Sequence, residues 1–118
     1  MALKQTFGFL GAGRMATALA GGMVRAGLVK SRQLIASDVV PAASKIFAKT
    51  TGGKSLKGNA QVLRKANVIV VAVKPHQVLE MLDELAEEVT TKHLFISIAT
   101  GITLAQLENA LGKKAHVI

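Results

Sequence analysis

The sequence predicts an α/β chain that folds as a single domain around a Rossmann-like, doubly wound and mainly parallel sheet. Three observations predict it. Short apolar runs alternate with segments of helical periodicity throughout the chain. The first apolar run passes through a glycine turn directly into a helical segment. The 118 residues, half of them apolar, are enough to bury one hydrophobic core.

The first strand and helix lie close to the N-terminus. Residues 6–10 are mostly apolar and predict a strand, and residues 14–25 have the spacing of a helix. Gly27 is well placed to end that helix. Its buried face is expected to consist of side chains three or four positions apart: Met15, Leu19, Met23 and Ala26, together with Ala16, Ala20 and Val24.

The following elements repeat the alternation of strand and helix. Pro41 can open the second helix, because proline suits a first turn. Asn59 is a good N-cap for a third, short helix, and Thr103 forms a capping box with Gln106 for the last one. The predicted strands are 33–37, 54–58, 67–73, 94–98 and 115–118, and the later helices are 41–49, 59–65, 76–89 and 103–111.

Two segments indicate the type of sheet. Residues 67–73 are apolar without alternation, as expected for a parallel strand that is covered on both faces. The helix at 76–89 has an apolar stripe formed by Val78, Leu82, Leu85 and Val89, with most of its acids on the other side. Parallel strands joined by helices require right-handed crossovers, which produce a doubly wound sheet.

The net charge of +8 is unevenly distributed. Residues 1–79 hold twelve of the fifteen lysines and arginines but a single acid, Asp38. Such a basic half is one sign of nucleic-acid binding. The basic residues are scattered, however, and lack the interleaved aromatic residues on which bases stack. We therefore expect no nucleic-acid partner, and favour a solvated face that also attracts an anionic cofactor.

Composition excludes several other classes of function. The chain has no cysteine, so disulfides, a thiolate nucleophile and cysteine-ligated metal are excluded. No segment reaches the roughly 20 apolar residues that a membrane span needs, and the start has no secretory layout. The expectation is a soluble, cytoplasmic protein without a membrane partner. His76, His93 and His116 are not spaced as a metal or triad set, so no metal is expected.

The glycine turn G-A-G-R-M-A at residues 11–16 predicts a site for a dinucleotide pyrophosphate. Gly11 permits the tight turn, and Gly13 has no Cβ to hold a phosphate away from the backbone. Ala16 is small enough for the helix to pack against the strand. Free amides at the start of the helix then face the anion. The alternative is a plain strand-to-helix turn that binds nothing.

In a doubly wound sheet, ligands bind outside the carboxyl ends of the strands. Four of these ends carry small or polar residues directly after an apolar run: Gly11–Gly13, Ser37-Asp38, Ala72–Pro75 and Ala99–Gly101. The small residues leave room for a ribose or a nicotinamide against the backbone. Lys74 is either a cation over the cofactor or a solvent lysine at a strand end.

Asp38 leaves the choice between NAD and NADP open. It lies 22 residues after Ala16, close to the spacing at which an acid accepts a hydrogen bond from the adenosine ribose of NAD and repels the 2′-phosphate of NADP. Alternatively, Ser37 donates to that phosphate while Arg14 or a lysine neutralises it. A third possibility is that Asp38 is only a helix N-cap before Pro41.

The chain resembles the N-terminal NAD(P)-binding domain of pyrroline-5-carboxylate reductase over nearly its whole length. The resemblance rests on G-F-L-G-A-G-R-M-A at 8–16, A-V-K-P-H at 72–76 and I-S-I-A-T-G-I-T at 96–103. That family reduces the imine of 1-pyrroline-5-carboxylate to L-proline, the last step of proline biosynthesis, with NADPH or NADH. The resemblance assigns pyrophosphate binding to Leu10, Gly11, Ala12, Gly13, Arg14 and Met15, the ribose to Ser37, the adenine side to Asn59, and the rest of the cofactor to Ala72, Val73, Lys74, Pro75, Ala99, Thr100 and Gly101.

The resemblance also implies what lies outside these 118 residues. In that family a helical C-terminal domain completes the imine site and forms the dimer. Residues 1–118 are then expected to be the dinucleotide-binding domain of a longer enzyme that is a homo-oligomer, and to be inactive alone. No residue is assigned a catalytic role. Asp38 stands where many members have a neutral or basic residue. The alternatives are a dehydrogenase of the β-hydroxyacid or prephenate type and a stand-alone dinucleotide-binding module.

Overall fold

The computed structural model describes residues 3–99, 101–112 and 115–118. Strands and helices alternate along this chain, as the sequence predicts. Two short 3-10 turns, at Ser31–Gln33 and Ala86–Glu88, precede β2 and follow α4. In chain order the elements are β1 (Phe7–Leu10), α1 (Arg14–Arg25), β2 (Leu34–Ser37), α2 (Pro41–Thr51), β3 (Lys54–Ser55), α3 (Asn59–Lys65), β4 (Val68–Val71), α4 (Pro75–Leu85), β5 (Leu94–Ser97), α5 (Leu104–Leu111) and β6 (His116–Val117).

The strands form one parallel sheet in the order β3-β2-β1-β4-β5-β6, which confirms the doubly wound prediction. The chain moves outward from β1 to β3 and then returns to place β4 on the other side of β1. Leu10, the last residue of β1, aligns with Ser37 of β2 and Val71 of β4. The carboxyl ends of these three strands therefore meet, and a crevice opens where the order reverses.

Helices cover both faces of the sheet. On one face, α1 and α2 pack on Phe7, Phe9 and Leu34. On the other, α3, α4 and α5 pack on alternate residues of the same strands, including Leu10 and Ile69. Because both faces are buried, the central strands are apolar without alternation. None of the described helices is long and apolar enough to span a membrane.

The predicted buried face of α1 is partly wrong. Met15 and Leu19 are 65% and 41% exposed, and Ala26 is exposed as well. The helix instead packs through small side chains, which let its backbone lie close to the sheet. The longer side chains then point outward, while Met23 and Val24 are half-buried. The buried residues are Ala16, Thr17, Ala20 and Gly21.

Two predicted helix caps are also corrected. Asn59 is the first residue of α3 rather than its N-cap, which is Gly58. Asp38 is not the N-cap of α2, because Val40 holds that position. Both polar side chains have other partners, described below. The capping box of Thr103 and Gln106 is confirmed, since Thr103 Oγ1 accepts from the Gln106 amide and Gln106 Oε1 accepts from the Thr103 amide.

Later elements are mostly shorter than predicted. Helix α4 begins at Pro75 and ends at Leu85, and the chain then tightens into a 3-10 turn before Val89. The apolar stripe predicted for residues 76–89 is confirmed, because Val78, Leu82 and Leu85 of α4 and Val89 after it are all at most 5% exposed. The strands predicted at 67–73 and 94–98 are trimmed to Val68–Val71 and Leu94–Ser97, and the residues after them belong to the carboxyl-end loops.

Candidate functional site

A cavity of about 510 Å³ lies at the carboxyl ends of β1, β2 and β4. It occupies the reversal of strand order, where doubly wound sheets bind their ligands. Its lining comes from the glycine turn, the loop after β2, the first residue of α3, the loop after β4 and one side of α4. The lining residues are Gly11, Gly13, Ser37, Asp38, Val39, Val40, Ala43, Asn59, Ala72, Val73, Lys74, His76, Gln77, Glu80, Met81 and Glu84.

Gly11 brings the ends of three strands together. Its φ of +101° lies in the region that side chains disfavour, and an added Cβ would lie 2.8 Å from the carbonyl carbon and oxygen of Ala72. Its amide donates to the Ser37 carbonyl at 2.9 Å, while the Ala72 amide donates to the Leu10 carbonyl at 2.8 Å. Only glycine fits here, so the prediction of a tight turn at Gly11 is confirmed.

Gly13 has the opposite surroundings. It is the N-cap of α1 with φ of −75°, and no atom lies within 4 Å of an added Cβ. Among the described residues, nothing accepts from the amides of residues 13–16, and the first amide that bonds along the helix is Thr17 to the Gly13 carbonyl. These donors and the positive end of the helix dipole, at the edge of the cavity, have the chemistry that binding of an anion requires.

Asp38 connects the glycine turn to the start of α2. One carboxylate oxygen accepts from the Ala12 amide and the other from the Val40 amide, both at 2.8 Å. Hydrogen bonds between a carboxylate and backbone amides are among the stronger ones in proteins. The side chain is therefore fixed at the cavity wall, where it accepts from an amide within the glycine turn.

Ser37 and Asn59 form a second polar contact in the wall. The Ser37 side chain is 1% exposed, and its hydroxyl donates to Asn59 Oδ1 at 2.5 Å. This bond joins the end of β2 to the first turn of α3. It explains why Asn59 does not cap its own helix, because its side-chain oxygen is already engaged with Ser37.

The cavity includes eight of the sequence-predicted site residues, and the others lie around it. Leu10 and Ala12 are buried beneath the turn, and Arg14 and Met15 are exposed on the first turn of α1. Ala99 and Gly101 follow β5, which is one strand farther from the reversal than β4, so they do not line the cavity. Pro75 is the first residue of α4 and also lies outside the lining, and Thr100 lies outside the described residues.

Sequence reasoning missed two parts of the wall. Val39 and Val40, 85% and 51% exposed, form an apolar patch in the loop after β2, and α4 contributes a polar side. Each left a signal in the sequence. Two adjacent valines outside a strand are unusual, and His76, Glu80 and Glu84 recur every four residues along one face of a helix.

Residues 6–101 match the family model described as NADP oxidoreductase, coenzyme F420-dependent. The chain belongs to this family. The chain is 36% identical to a curated protein, pyrroline-5-carboxylate reductase 3 of Rattus norvegicus. The alignment spans 118 residues and covers 100% of the chain and 43% of the relative. The resemblance stated from the motifs is thereby confirmed, and the chain spans less than half the length of such relatives.

The chain is also similar to solved structures of pyrroline-5-carboxylate reductases. A pyrroline-5-carboxylate reductase from Coxiella burnetii superposes with a TM-score of 0.88 at 29% identity, over 96% of this chain and 42% of that one. The Plasmodium falciparum pyrroline carboxylate reductase, solved with NADP bound, superposes with a TM-score of 0.82 at 27% identity. That alignment covers 96% of this chain and 40% of the other one. The similarity in both cases falls on a part of the longer chain.

Proposed function

We propose that the chain is the NAD(P)H-binding domain of a pyrroline-5-carboxylate reductase. Such an enzyme reduces the imine of 1-pyrroline-5-carboxylate to L-proline by hydride transfer. The observation that carries the proposal is the open anion site at Gly13 and the start of α1, located at the reversal of strand order. The pyrroline-5-carboxylate reductases among the relatives support the choice of substrate.

The residues at the cavity fit a nicotinamide dinucleotide. The amides of residues 13–16 would bind the pyrophosphate, and the Asp38 carboxylate lies where an adenosine ribose hydroxyl would donate. Val39 and Val40 offer apolar contact to an adenine ring. Lys74 lies at the end of β4 with its side chain exposed, where it would attract the anionic cofactor. The bound cofactor supplies the hydride, and these residues hold and orient it.

None of the described residues is assigned the protonation of the imine. Hydride transfer needs the reacting atoms held roughly 3–3.5 Å apart. The described lining fits a dinucleotide, and we propose that the groups that orient the imine lie in the part of the relatives that this chain does not span. Homo-oligomer formation by the longer enzyme and a cytoplasmic location belong to the same proposal.

The proposal is tested by separating cofactor binding from turnover. We expect the isolated chain to fold, to bind NADH or NADPH, and not to oxidise either with 1-pyrroline-5-carboxylate at high protein concentration. Titration by cofactor fluorescence and an absorbance assay at 340 nm measure the two properties. A folded chain that binds neither cofactor would contradict the assignment. Turnover equal to that of an intact reductase would show that the catalytic groups are wrongly placed.

A further inference from the structure

NADH and NADPH differ only by a phosphate on the adenosine ribose. The charge of the cavity wall therefore bears on which of the two cofactors binds more tightly. The proposed function leaves this choice open, and the inference below depends on that function. NADP sites usually offer arginine or a comparable cation to the 2′-phosphate, whereas NAD sites offer a carboxylate to the 2′-hydroxyl. In the proposed function, the adenosine ribose would lie against the wall after β2.

Asp38 cannot turn away to admit a phosphate without losing its contacts. Both of its oxygens accept from backbone amides at 2.8 Å, one in the glycine turn and one at the start of α2. A carboxylate held at two points keeps its charge at one place in the wall. The 2′-hydroxyl of NADH can still donate to it, because each carboxylate oxygen accepts more than one hydrogen bond.

Of the groups that would favour NADPH, one is engaged with another side chain, one lies outside the cavity lining and one lies at a different strand end. Ser37, the candidate donor to a phosphate, is 1% exposed and already donates to Asn59. Arg14 does not line the cavity. Lys74 does, but it follows β4, and β1 lies between β4 and β2. Neighbouring strands are about 4.8 Å apart, so the backbones of Lys74 and Asp38 belong to strand ends about 10 Å apart.

Helix α4 adds further negative charge to the same cavity. Glu80 and Glu84 lie four residues apart on the side of α4 that lines it. The described lining therefore has three carboxylates and one lysine, whereas a 2′-phosphate would bring about two more negative charges. The ribose hydroxyl of NADH brings none.

We propose that this cavity selects NADH over NADPH, with Asp38 as the specificity-determining residue and Glu80 and Glu84 as secondary contributors. This differs from the Plasmodium falciparum relative, whose structure was solved with NADP bound. The selection comes mainly from repulsion of the 2′-phosphate by a carboxylate that the fold holds in place, in addition to the hydrogen bond that the 2′-hydroxyl of NADH donates to it. Its effect should therefore be a penalty on NADPH that depends on charge and ionic strength.

The experiment compares the dissociation constants of NADH and NADPH for the folded chain at low salt. Repulsion worth one unit charge near a protein surface predicts that NADH binds at least about tenfold more tightly. ADP-ribose and its 2′-phosphate, measured by calorimetry, should show the same ratio, because the difference lies on the adenosine side. Raising the salt to about 1 M should narrow the ratio, because the Debye length then falls to about 3 Å.

Variants identify the source of the ratio. Asp38→Asn removes the charge but keeps one oxygen acceptor, and should lower the ratio to about threefold or less by strengthening NADPH binding. The double variant Glu80→Gln and Glu84→Gln should lower the NADPH-to-NADH ratio of dissociation constants by a smaller factor. It tests the inference even where an Asp38 variant fails to fold. Glu108→Gln, on α5 and outside the cavity, is the matched control and should leave the ratio unchanged.

The outcomes separate this inference from the function on which it rests. Binding of NADPH as tightly as NADH by the parent chain, or a ratio that survives Asp38→Asn, overturns the inference and leaves the dinucleotide site intact. Binding of neither cofactor overturns the proposed function and the inference together. A ratio that falls only in the Asp38 and glutamate variants supports the assignment.

Discussion

The two sides of the sheet's carboxyl edge are built differently. After β1, β2 and β3, the loops are joined to one another by Gly11 to Ser37, Ala12 to Asp38 and Ser37 to Asn59. After β5, the Ile98 amide still donates to the Val71 carbonyl of β4 at 3.1 Å, whereas the Ala99 amide donates to the hydroxyl of Ser97, two residues away, at 3.3 Å. The side after β1, β2 and β3 is a connected network of loops, whereas the chain after β5 continues into a local turn.

This difference separates residues that shape the site from residues that would only touch a ligand. On the connected side, the groups that bond one loop to another also form the wall, so substituting them affects stability as well as binding. Gly13 is open and is the exception, because its substitution should affect binding alone. Beyond β4, side chains such as Lys74 are exposed and have no described hydrogen-bond partner in the wall. Substitutions there should affect binding alone. The following predictions test that division.

Gly11→Ala should have the largest effect. A side chain at its φ of +101° is strained, and the new Cβ would lie 2.8 Å from the Ala72 backbone. We expect the free energy of unfolding to fall by about 2–5 kcal/mol, which combines the conformational penalty with overpacking. Chemical denaturation followed by circular dichroism measures it. Stability within 0.5 kcal/mol of the parent would mean that the turn is not a rigid connection.

Gly13→Val should abolish cofactor binding while the fold survives. No atom lies within 4 Å of an added Cβ, so the side chain costs the folded state little, yet it would occupy the space of the pyrophosphate. We expect at least about a hundredfold loss of affinity, measured by cofactor fluorescence. Gly58→Val is the matched control, because Gly58 is equally open and extended but lies outside the cavity lining. Unchanged affinity in a folded Gly13 variant would refute the anion site.

Lys74→Ala should have the smallest effect, confined to binding. Its exposed ammonium would attract the anionic cofactor, and one such contact is worth about 1 kcal/mol at low salt, or about fivefold in affinity. The thermal midpoint should not change. Lys57→Ala, which is exposed and lies outside the cavity, serves as the control. A loss of stability without a loss of affinity would place Lys74 among the residues that hold the fold.

Local sequence signals predicted the type and order of the helices and strands well, and the contacts of their side chains less well. The boundaries of α1 and the start of α2 at Pro41 agree with the prediction, because glycine and proline act through backbone conformation alone. Asn59 was assigned a capping role from its residue type, but its partner is Ser37, 22 residues away. A local rule has no access to such a partner.

The candidate site shows the same division. The glycine turn and the ends of β2 and β4 were predicted from the sequence and line the cavity, since each follows directly from an apolar run, whereas Ala99 and Gly101 after β5 lie outside the lining. The contribution of α4 was not, because facing the cavity and facing solvent look alike in a pattern of polar residues. Met15 and Leu19 were misplaced because helical periodicity does not show which side of α1 packs on the sheet.

The sequence by itself determined the alternation of strands and helices, the parallel sheet, the glycine turn and the family resemblance. These depend on backbone freedom and on the spacing of apolar residues, which neighbouring residues fix. Only the tertiary structure decided that Asp38 bridges Ala12 and Val40, and that Glu80 and Glu84 share its cavity. Contacts between residues far apart in sequence depend on strand order and helix packing, and no local pattern encodes those distances.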